Sequence, residues 1–148
     1  MMLNTLETIP DGAEPLQRDT FVVEDGVVRL LASRCNDCGG VFFPVRRFCG
    51  RCCSDDLAQI TLSAAGQVNA YSLIDRKSAL SLIEPPYMQA SVRMAEGVNV
   101  YTILTGLEPD SVAIGQRVET ALAQVGTNEQ GAPLVAFVFR PQPEGELA

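Results

Sequence analysis

Histidine and tryptophan are absent from this sequence of 148 residues, and lysine occurs once, as Lys77. Histidine is the commonest general base in enzymes and the usual partner of a serine or cysteine nucleophile, so its absence removes these arrangements. It also removes any open zinc centre that is built on imidazole. No pair of carboxylates stands out as an acid and a base, so catalysis by this chain alone is not expected.

Long apolar runs are lacking as well. Although 47% of the residues are hydrophobic, no stretch approaches the roughly 20 residues that a membrane-spanning helix needs. Nothing at the N-terminus resembles a secretory signal, and we therefore expect a cytoplasmic protein without membrane insertion. The net charge of −7 and the pI near 4.5 repel polyphosphate and argue against nucleic acid as a partner.

Four of the five cysteines form two CxxC motifs, with the spacing Cys35-x2-Cys38-x10-Cys49-x2-Cys52. Two such knuckles supply four thiolates at about 2.3 Å from one metal ion, and this closed shell is typical of structural zinc rather than catalytic zinc. Two disulfides are the alternative, but paired CxxC motifs in a cytosolic chain favour metal. Iron also binds four thiolates, and we expect zinc because the surrounding residues indicate a zinc ribbon.

The fifth thiol, Cys53, follows the last of these four cysteines directly. It could be a spare ligand, a redox-active group or a small buried residue. We interpret it as a small buried residue.

The region around the knuckles is basic. Four arginines and one acid, Asp37, fall between residues 34 and 51. A zinc ion with four thiolates carries a net negative charge, so part of this positive charge can neutralise the sulfurs. The remainder can meet an anionic ligand or an acidic partner surface.

The sequence pattern of the rest of the chain predicts β-structure. In residues 21–32, Glu24-Asp25-Gly26 could turn a hairpin or interrupt a helix, and we interpret the segment as strands. Further segments rich in β-forming residues alternate with turn signals: they are 57–62, 67–75, 90–94, 98–104, 117–125 and 133–140. The last two are expected to form a hairpin through residues 126–131. About five strands of this length fit a closed OB-fold barrel, and a small sandwich is the alternative.

These patterns predict a mainly β protein. It consists of an N-terminal rubredoxin-like zinc ribbon followed by a five-stranded OB-fold barrel. The expected divisions are a flexible N-terminal arm at 1–20, the ribbon with its flanking segment at 21–56, the OB-fold at 57–141 and a C-terminal tail at 142–148. We expect the ribbon and the barrel to have separate cores. The irregular stretch 75–86 carries Leu80, Leu82 and Ile83, which either cap the barrel mouth or contact a partner.

The sequence resembles the DUF35 family, whose members combine a zinc ribbon with an OB-fold. The resemblance covers about residues 21–141. It is carried by Arg34-Cys35-x2-Cys38-Gly39, Phe43-Pro44, Arg46, Cys49-x2-Cys52, Gly66, Pro85-Pro86, Leu104-Thr105-Gly106, Ile114-Gly115-Gln116-Arg117-Val118 and Phe139-Arg140-Pro141. Cys53 is a departure, because glycine commonly follows the fourth cysteine in this family.

The resemblance implies that the chain is the partner of a thiolase-like enzyme that makes or breaks carbon–carbon bonds in CoA thioesters, as in the degradation of aromatic compounds or sterol side chains. The thiolase would bring the catalytic cysteine and histidines. This chain would dock through its ribbon and help to enclose the acyl-CoA. The small subunit of a benzoylsuccinyl-CoA-type thiolase is one specific hypothesis.

Five cations are available for the phosphates of CoA or for partner contacts: Arg46, Arg47, Arg51, Arg76 and Lys77. Two other functions stay open at this point. One is an OB-fold module for single-stranded nucleic acid, which would bind through aromatic stacking in a basic groove. The other is an acyl-CoA-binding protein that acts without a partner.

Overall fold

The structure is a computed structural model that describes residues 5–6, 8–78 and 83–142. Its strands are β1 Thr5–Leu6, β2 Glu14–Pro15, β3 Phe21–Glu24, β4 Val27–Cys35, β5 Val41–Phe42, β6 Leu57–Thr61, β7 Ala65–Ile74, β8 Tyr87–Met94, β9 Asn99–Leu104, β10 Arg117–Thr127 and β11 Pro133–Pro141. One short 3-10 turn, Pro109–Ser111, is the helical content of these residues. None of them forms a helix with the length and hydropathy needed to cross a bilayer. Leu80 and Leu82 lie outside the described residues.

Five of the strands close into a barrel. The pairs β7–β8, β8–β9, β10–β11 and β10–β7 are antiparallel. The last junction, between β9 and β11, is a single parallel pair, Leu104 with Phe139. Beside it, the Thr102 hydroxyl donates a hydrogen bond to the carbonyl of Phe137 at 3.1 Å. The strand order β7-β8-β9-β11-β10 confirms the predicted five-stranded OB-fold barrel.

Alternating burial explains why these segments form strands. In β8, Met88, Ala90, Val92 and Met94 are buried and the residues between them are more exposed, which is the period of two that one buried face requires. The predicted hairpin between the last two strands is confirmed, because β10 pairs with β11 from Val118 to Thr127.

Gly66 lies where β7 pairs with two strands at once, opposite Met94 of β8 and Val118 of β10. A Cβ atom at this position would lie 2.7 Å from the carbonyl oxygen of Arg93 and 2.7 Å from a methyl carbon of Val92. The close approach of the strands therefore requires glycine here.

The zinc-ribbon sheet is built around β4. The strand interpretation of residues 21–32 is confirmed: β3 and β4 form an antiparallel hairpin, and Asp25 and Gly26 have the positive φ angles, 52° and 77°, of a tight two-residue turn. Strand β4 also pairs with β5 and with β6. Strand β6, which we expected at the start of the OB-fold region, pairs with β4 along its whole length.

The ribbon and the barrel share one hydrophobic core, so the expectation of separate cores is wrong. Leu30 and Ala32 of β4 are fully buried, and they belong to the same cluster as Val68 and Phe139 of the barrel. The inward face of β4 is apolar over three alternate positions, beginning at Val28. Such a face must be covered, and the barrel covers it.

Two specific contacts strengthen this junction. Phe43, which lies between the knuckles, packs edge-on against Phe137 of β11, with 5.6 Å between the ring centroids. The buried hydroxyl of Thr120 donates a hydrogen bond to the carbonyl of Val28 at 2.6 Å. We infer that the ribbon and the barrel fold as one cooperative unit.

The N-terminal segment, which we expected to be a flexible arm, lies along the barrel in its described part. Strand β1 pairs with β10 at Thr5 and Ala123, and β2 pairs in parallel with β11. The Arg140 guanidinium donates a hydrogen bond to the Thr5 hydroxyl at 3.0 Å and forms an ion pair with Glu119 at 3.3 Å. These contacts attach β1 to β10 and β11 of the barrel.

Candidate metal centre

The two knuckles bring the four predicted ligands together. Cys35 is the last residue of β4, Cys38 lies in the turn that follows, and Cys49 and Cys52 lie in the turn before β6. Their Sγ atoms all lie within 4.8 Å of one another. The distances are 3.6 Å from Cys35 to Cys52 and 3.5 Å from Cys38 to Cys49. Four sulfurs at zinc-bonding distance from one centre would be about 3.8 Å apart, so this set fits a tetrahedral zinc ion.

Backbone N–H groups point at the sulfurs. The Sγ atom of Cys49 accepts hydrogen bonds from the backbone nitrogens of Arg51, at 3.3 Å, and Cys52, at 3.5 Å. The Sγ atom of Cys35 accepts one from the nitrogen of Cys38 at 3.5 Å. Such bonds stabilise thiolate over thiol. The backbone of the knuckles is therefore arranged for ionised cysteines.

The pKa values of the Cys49 and Cys52 thiols are shifted in opposite directions. Burial raises the pKa of the Cys49 thiol, but hydrogen bonds from the backbone of Cys52 and Arg51 outweigh it and lower this pKa to about 6. At Cys52, a backbone hydrogen bond from Ser54 lowers the pKa, but the neighbouring thiol of Cys35 and burial raise it to about 12. Ionising closely spaced thiols together therefore requires a cation between them.

Two side-chain hydrogen bonds join one knuckle to the other. Asn36 donates from Nδ2 to Asp56 Oδ1 at 3.0 Å, and the Ser54 hydroxyl donates to Asp37. The sequence analysis missed these residues because the partners are 20 and 17 positions apart. The signal that could have found them is the placement of short polar side chains directly beside the cysteines.

Arg46, Arg47 and Arg51, three of the five predicted cations, lie on the zinc ribbon. The Arg46 guanidinium lies over the ring of Phe42, 4.9 Å from its centroid, and that of Arg47 is 5.9 Å from the centroid of Phe48. In the described part of the chain, none of the three guanidinium groups donates a hydrogen bond to a sulfur. The backbone supplies those bonds instead.

The other two predicted cations, Arg76 and Lys77, follow the end of β7 and are exposed. The Lys77 ammonium forms an ion pair with Glu84. The fold places these two residues on the barrel and the three arginines on the ribbon. The five cations are therefore divided between two elements.

Cys53 is exposed, so the interpretation of a buried residue is wrong. Its backbone nitrogen donates to the carbonyl of Cys49 at 3.0 Å, and its φ angle of 63° is in the left-handed region. Gly39 holds the equivalent place in the first knuckle with φ 78°. Both knuckles thus close with a residue in this conformation, which glycine adopts at less cost than cysteine.

Replacing Cys53 by glycine is expected to raise the free energy of unfolding by about 0.5–1 kcal/mol, because the left-handed conformation costs glycine less than it costs cysteine. Urea denaturation of the zinc-loaded protein measures this change. Cys53→Ser is the control, and its stability should stay within about 0.5 kcal/mol of the parent. A glycine variant less stable than the serine variant would contradict the prediction.

A zinc ribbon that shares its core with a closed five-stranded OB-fold barrel defines the class of this protein. Residues 28–58 match the family model described as the ChsH2 rubredoxin-like zinc ribbon domain. Residues 59–123 match the model described as the ChsH2 C-terminal OB-fold domain. A DUF35 domain-containing scaffold protein of Methanothermobacter thermautotrophicus is 33% identical over 115 residues, which are 76% of this chain and 86% of that protein. The chain belongs to the DUF35 family.

Two further similar proteins have names that include the enzyme to which they belong. The benzoylsuccinyl-CoA thiolase subunit BbsA of Thauera aromatica is 28% identical over 111 residues, which are 75% of each chain. A chain of the solved structure called Ltp2-ChsH2(DUF35) aldolase is 30% identical, with a TM-score of 0.63 over 76% of this chain and 84% of that one. The relatives thus include a thiolase subunit and a component of an aldolase.

Proposed function

We propose that this chain is the non-catalytic partner subunit of a cytoplasmic thiolase-like enzyme that acts on CoA thioesters, with zinc held by Cys35, Cys38, Cys49 and Cys52. The observation that carries the proposal is the similarity, over three quarters of the chain, to a thiolase subunit. The chemistry of the chain supports it. Four thiolates leave no open position on the metal, and the sequence contains no histidine.

The ribbon offers a surface for docking on the catalytic subunit. Phe48 in the second knuckle is 56% exposed, Val45 is also exposed, and Arg47 lies beside the Phe48 ring. An exposed aromatic side chain with an adjacent arginine is the composition typical of residues that dominate binding at protein interfaces. We propose that this patch contacts the thiolase-like chain.

The barrel offers a surface for the acyl-CoA. Tyr71 and Leu73 of β7 pair with Ala90 and Met88 of β8, and directly paired residues lie on the same face of a sheet. Ala90 and Met88 are buried in the barrel, whereas Tyr71 and Leu73 are 43% and 47% exposed. The apolar inner face of the β7–β8 hairpin therefore continues beyond the core and is open.

The cations Arg76 and Lys77 follow directly after this apolar strip, at the end of β7. CoA has a long arm of apolar and amide groups that ends in phosphates. Along the hairpin, the apolar strip is followed by cations, just as the apolar and amide arm of CoA is followed by phosphates. We propose that the strip covers part of the arm and that Arg76 lies toward the phosphates.

Co-expression with the thiolase-like chain encoded nearest to its gene tests the assignment. We expect a stable complex on size-exclusion chromatography, and cleavage or formation of a CoA thioester that needs both chains. The isolated chain should show no turnover. Two results would contradict the proposal: separate elution of the chains, or tight binding of acyl-CoA by the isolated chain without any association.

Replacing Phe48 by alanine is expected to weaken the complex by about thirtyfold, because truncating a central aromatic anchor typically costs about 2 kcal/mol or more. Surface plasmon resonance with immobilised thiolase-like chain measures this. Ile114→Ala is the matched control, since Ile114 is an apolar residue of the barrel with 64% exposure. If both variants bound the thiolase-like chain with equal affinity, docking through the ribbon would be contradicted.

A further inference from the structure

A row of three polar side chains crosses the outer wall of the barrel. The strand register places Arg93 of β8 opposite Gln67 of β7, and Gln67 opposite Arg117 of β10. All three are exposed, because their neighbours along each strand, such as Gly66 and Val118, face the core. Neighbouring strands are about 4.8 Å apart, so the two arginine backbones are about 10 Å apart. We call these three residues the arginine row.

The arginine row lines a groove. Its volume is about 210 Å³, and its other lining residues are Ala65, Gly66, Met94 and Ala95. These neighbours are small or apolar, so the arginines and the carboxamide of Gln67 supply the polar side chains of the groove. A guanidinium is a planar donor of several hydrogen bonds and matches the geometry of oxyanions. Two such groups that line one groove, with an amide between them, supply the donors that a compact anion needs.

The carboxylates near the row are engaged elsewhere. Glu119, two residues beyond Arg117 on the outer face of β10, pairs with Arg140 at 3.3 Å. Glu96, in the turn after β8, accepts hydrogen bonds at Oε2 from the nitrogen and the hydroxyl of Ser63, at 3.0 and 2.8 Å. Neither carboxylate forms a salt bridge with the row in the described residues.

Within the described residues, no acidic side chain pairs with the positive charge of the row. Arg117 donates from Nε to Gln142 Oε1 at 3.1 Å, which orients the guanidinium but leaves its charge in place. In the described part of the chain, neither Arg93 nor Arg117 forms a salt bridge. The sequence has 18 acidic and 11 basic residues. These two arginines therefore stay without a salt bridge, in the described residues, although acidic side chains outnumber basic ones. Arg93 and Arg117 lie on the two sides of Gln67, so an anion bound between them would be attracted by both charges.

We propose that Arg93, Gln67 and Arg117 bind the phosphate group of a phosphorylated ligand. The two guanidinium groups would donate to its oxygens from either side, and the Gln67 amide would donate between them. The inference rests on the register and charge of the barrel and holds without a partner subunit. Gln67 lies nine residues before Arg76, so the arginine row is a phosphate site separate from the one proposed at the end of β7.

Titration of the isotope-labelled full-length protein with inorganic phosphate and with adenosine 3′,5′-bisphosphate, followed by amide chemical shifts, tests the site. We expect saturable shifts at residues 65–67, 93–95 and 117 at constant ionic strength. Arg93→Gln and Arg117→Gln should each weaken binding about fivefold, as expected for an exposed charge pair worth about 1 kcal/mol. Dispersed spectra of the variants show that they are folded.

Arg18→Gln is the control, because it removes the same charge at an exposed residue of the N-terminal segment. Shifts that never saturate would overturn the proposal, and so would an Arg18→Gln effect equal to that of the row variants. Succinate that binds as tightly as phosphate would show a general carboxylate site and would also overturn it. The titration uses this chain alone, so its result is separate from that of the co-expression experiment.

Discussion

Replacing Cys35 by serine is expected to lower the free energy of unfolding of the whole protein by at least about 3 kcal/mol, and the loss should not be confined to the ribbon. Cys35 is buried and ends β4. The same strand places Leu30 and Ala32 in the core that it shares with the barrel. Losing the metal would free the end of β4 from the second knuckle, and the barrel would lose the cover of its core.

Thermal unfolding followed by circular dichroism, together with the zinc content of the purified protein, measures this effect. A chelator added to the parent protein should lower the melting temperature in the same way. Cys53→Ser is the control, and it should retain zinc and melt like the parent, because Cys53 is not among the four converging sulfurs. A barrel transition unchanged by the loss of metal would contradict the prediction. Parent protein that contains neither zinc nor iron would refute the metal assignment itself.

Replacing Leu30 by alanine is expected to cost about 2–5 kcal/mol, the range for removing a buried leucine side chain. Leu30 belongs to the ribbon sheet but is 0% exposed within the shared cluster. The cavity would therefore open between the ribbon and the barrel. Because both parts line that cavity, both should unfold at a lower denaturant concentration.

Urea denaturation followed by circular dichroism and by the chemical shifts of barrel residues measures the loss. Val27→Ala in the same strand is the matched control, since Val27 is exposed, and it should cost less than about 1 kcal/mol. One shared transition that moves to lower urea would support a single folding unit. Two separate transitions, with the barrel unaffected, would show that the ribbon folds on its own.

The convergence of the four cysteines could be predicted because its signal is local. Two cysteines three positions apart occupy one tight turn wherever that turn lies in the fold, and Cys35, Cys38, Cys49 and Cys52 converge as expected. Strand periodicity is also local, and it identified β8 and the hairpin of β10 with β11. The number and length of the strands indicated the OB-fold barrel, but the order of its strands was not predicted, because periodicity does not contain it.

The errors arose where residues distant in the sequence meet. The apolar face of β4 was visible, but its partner was not, and separate cores were wrongly expected. Cys53 was misjudged because its exposure follows from the left-handed turn of the knuckle, which a residue type does not reveal. The pairing of β1 and β2 with the barrel involves two residues per strand, which is too short to show a period.

The sequence by itself determined the β class, the convergence of four thiols and the lack of any histidine for catalysis, because composition, knuckle spacing and period-two burial depend on residues close together in the chain. Only the tertiary structure decided that ribbon and barrel share a core and that Arg93, Gln67 and Arg117 lie side by side. Those outcomes depend on strand order and register. Both are set by packing the apolar faces against one another, which no single segment specifies.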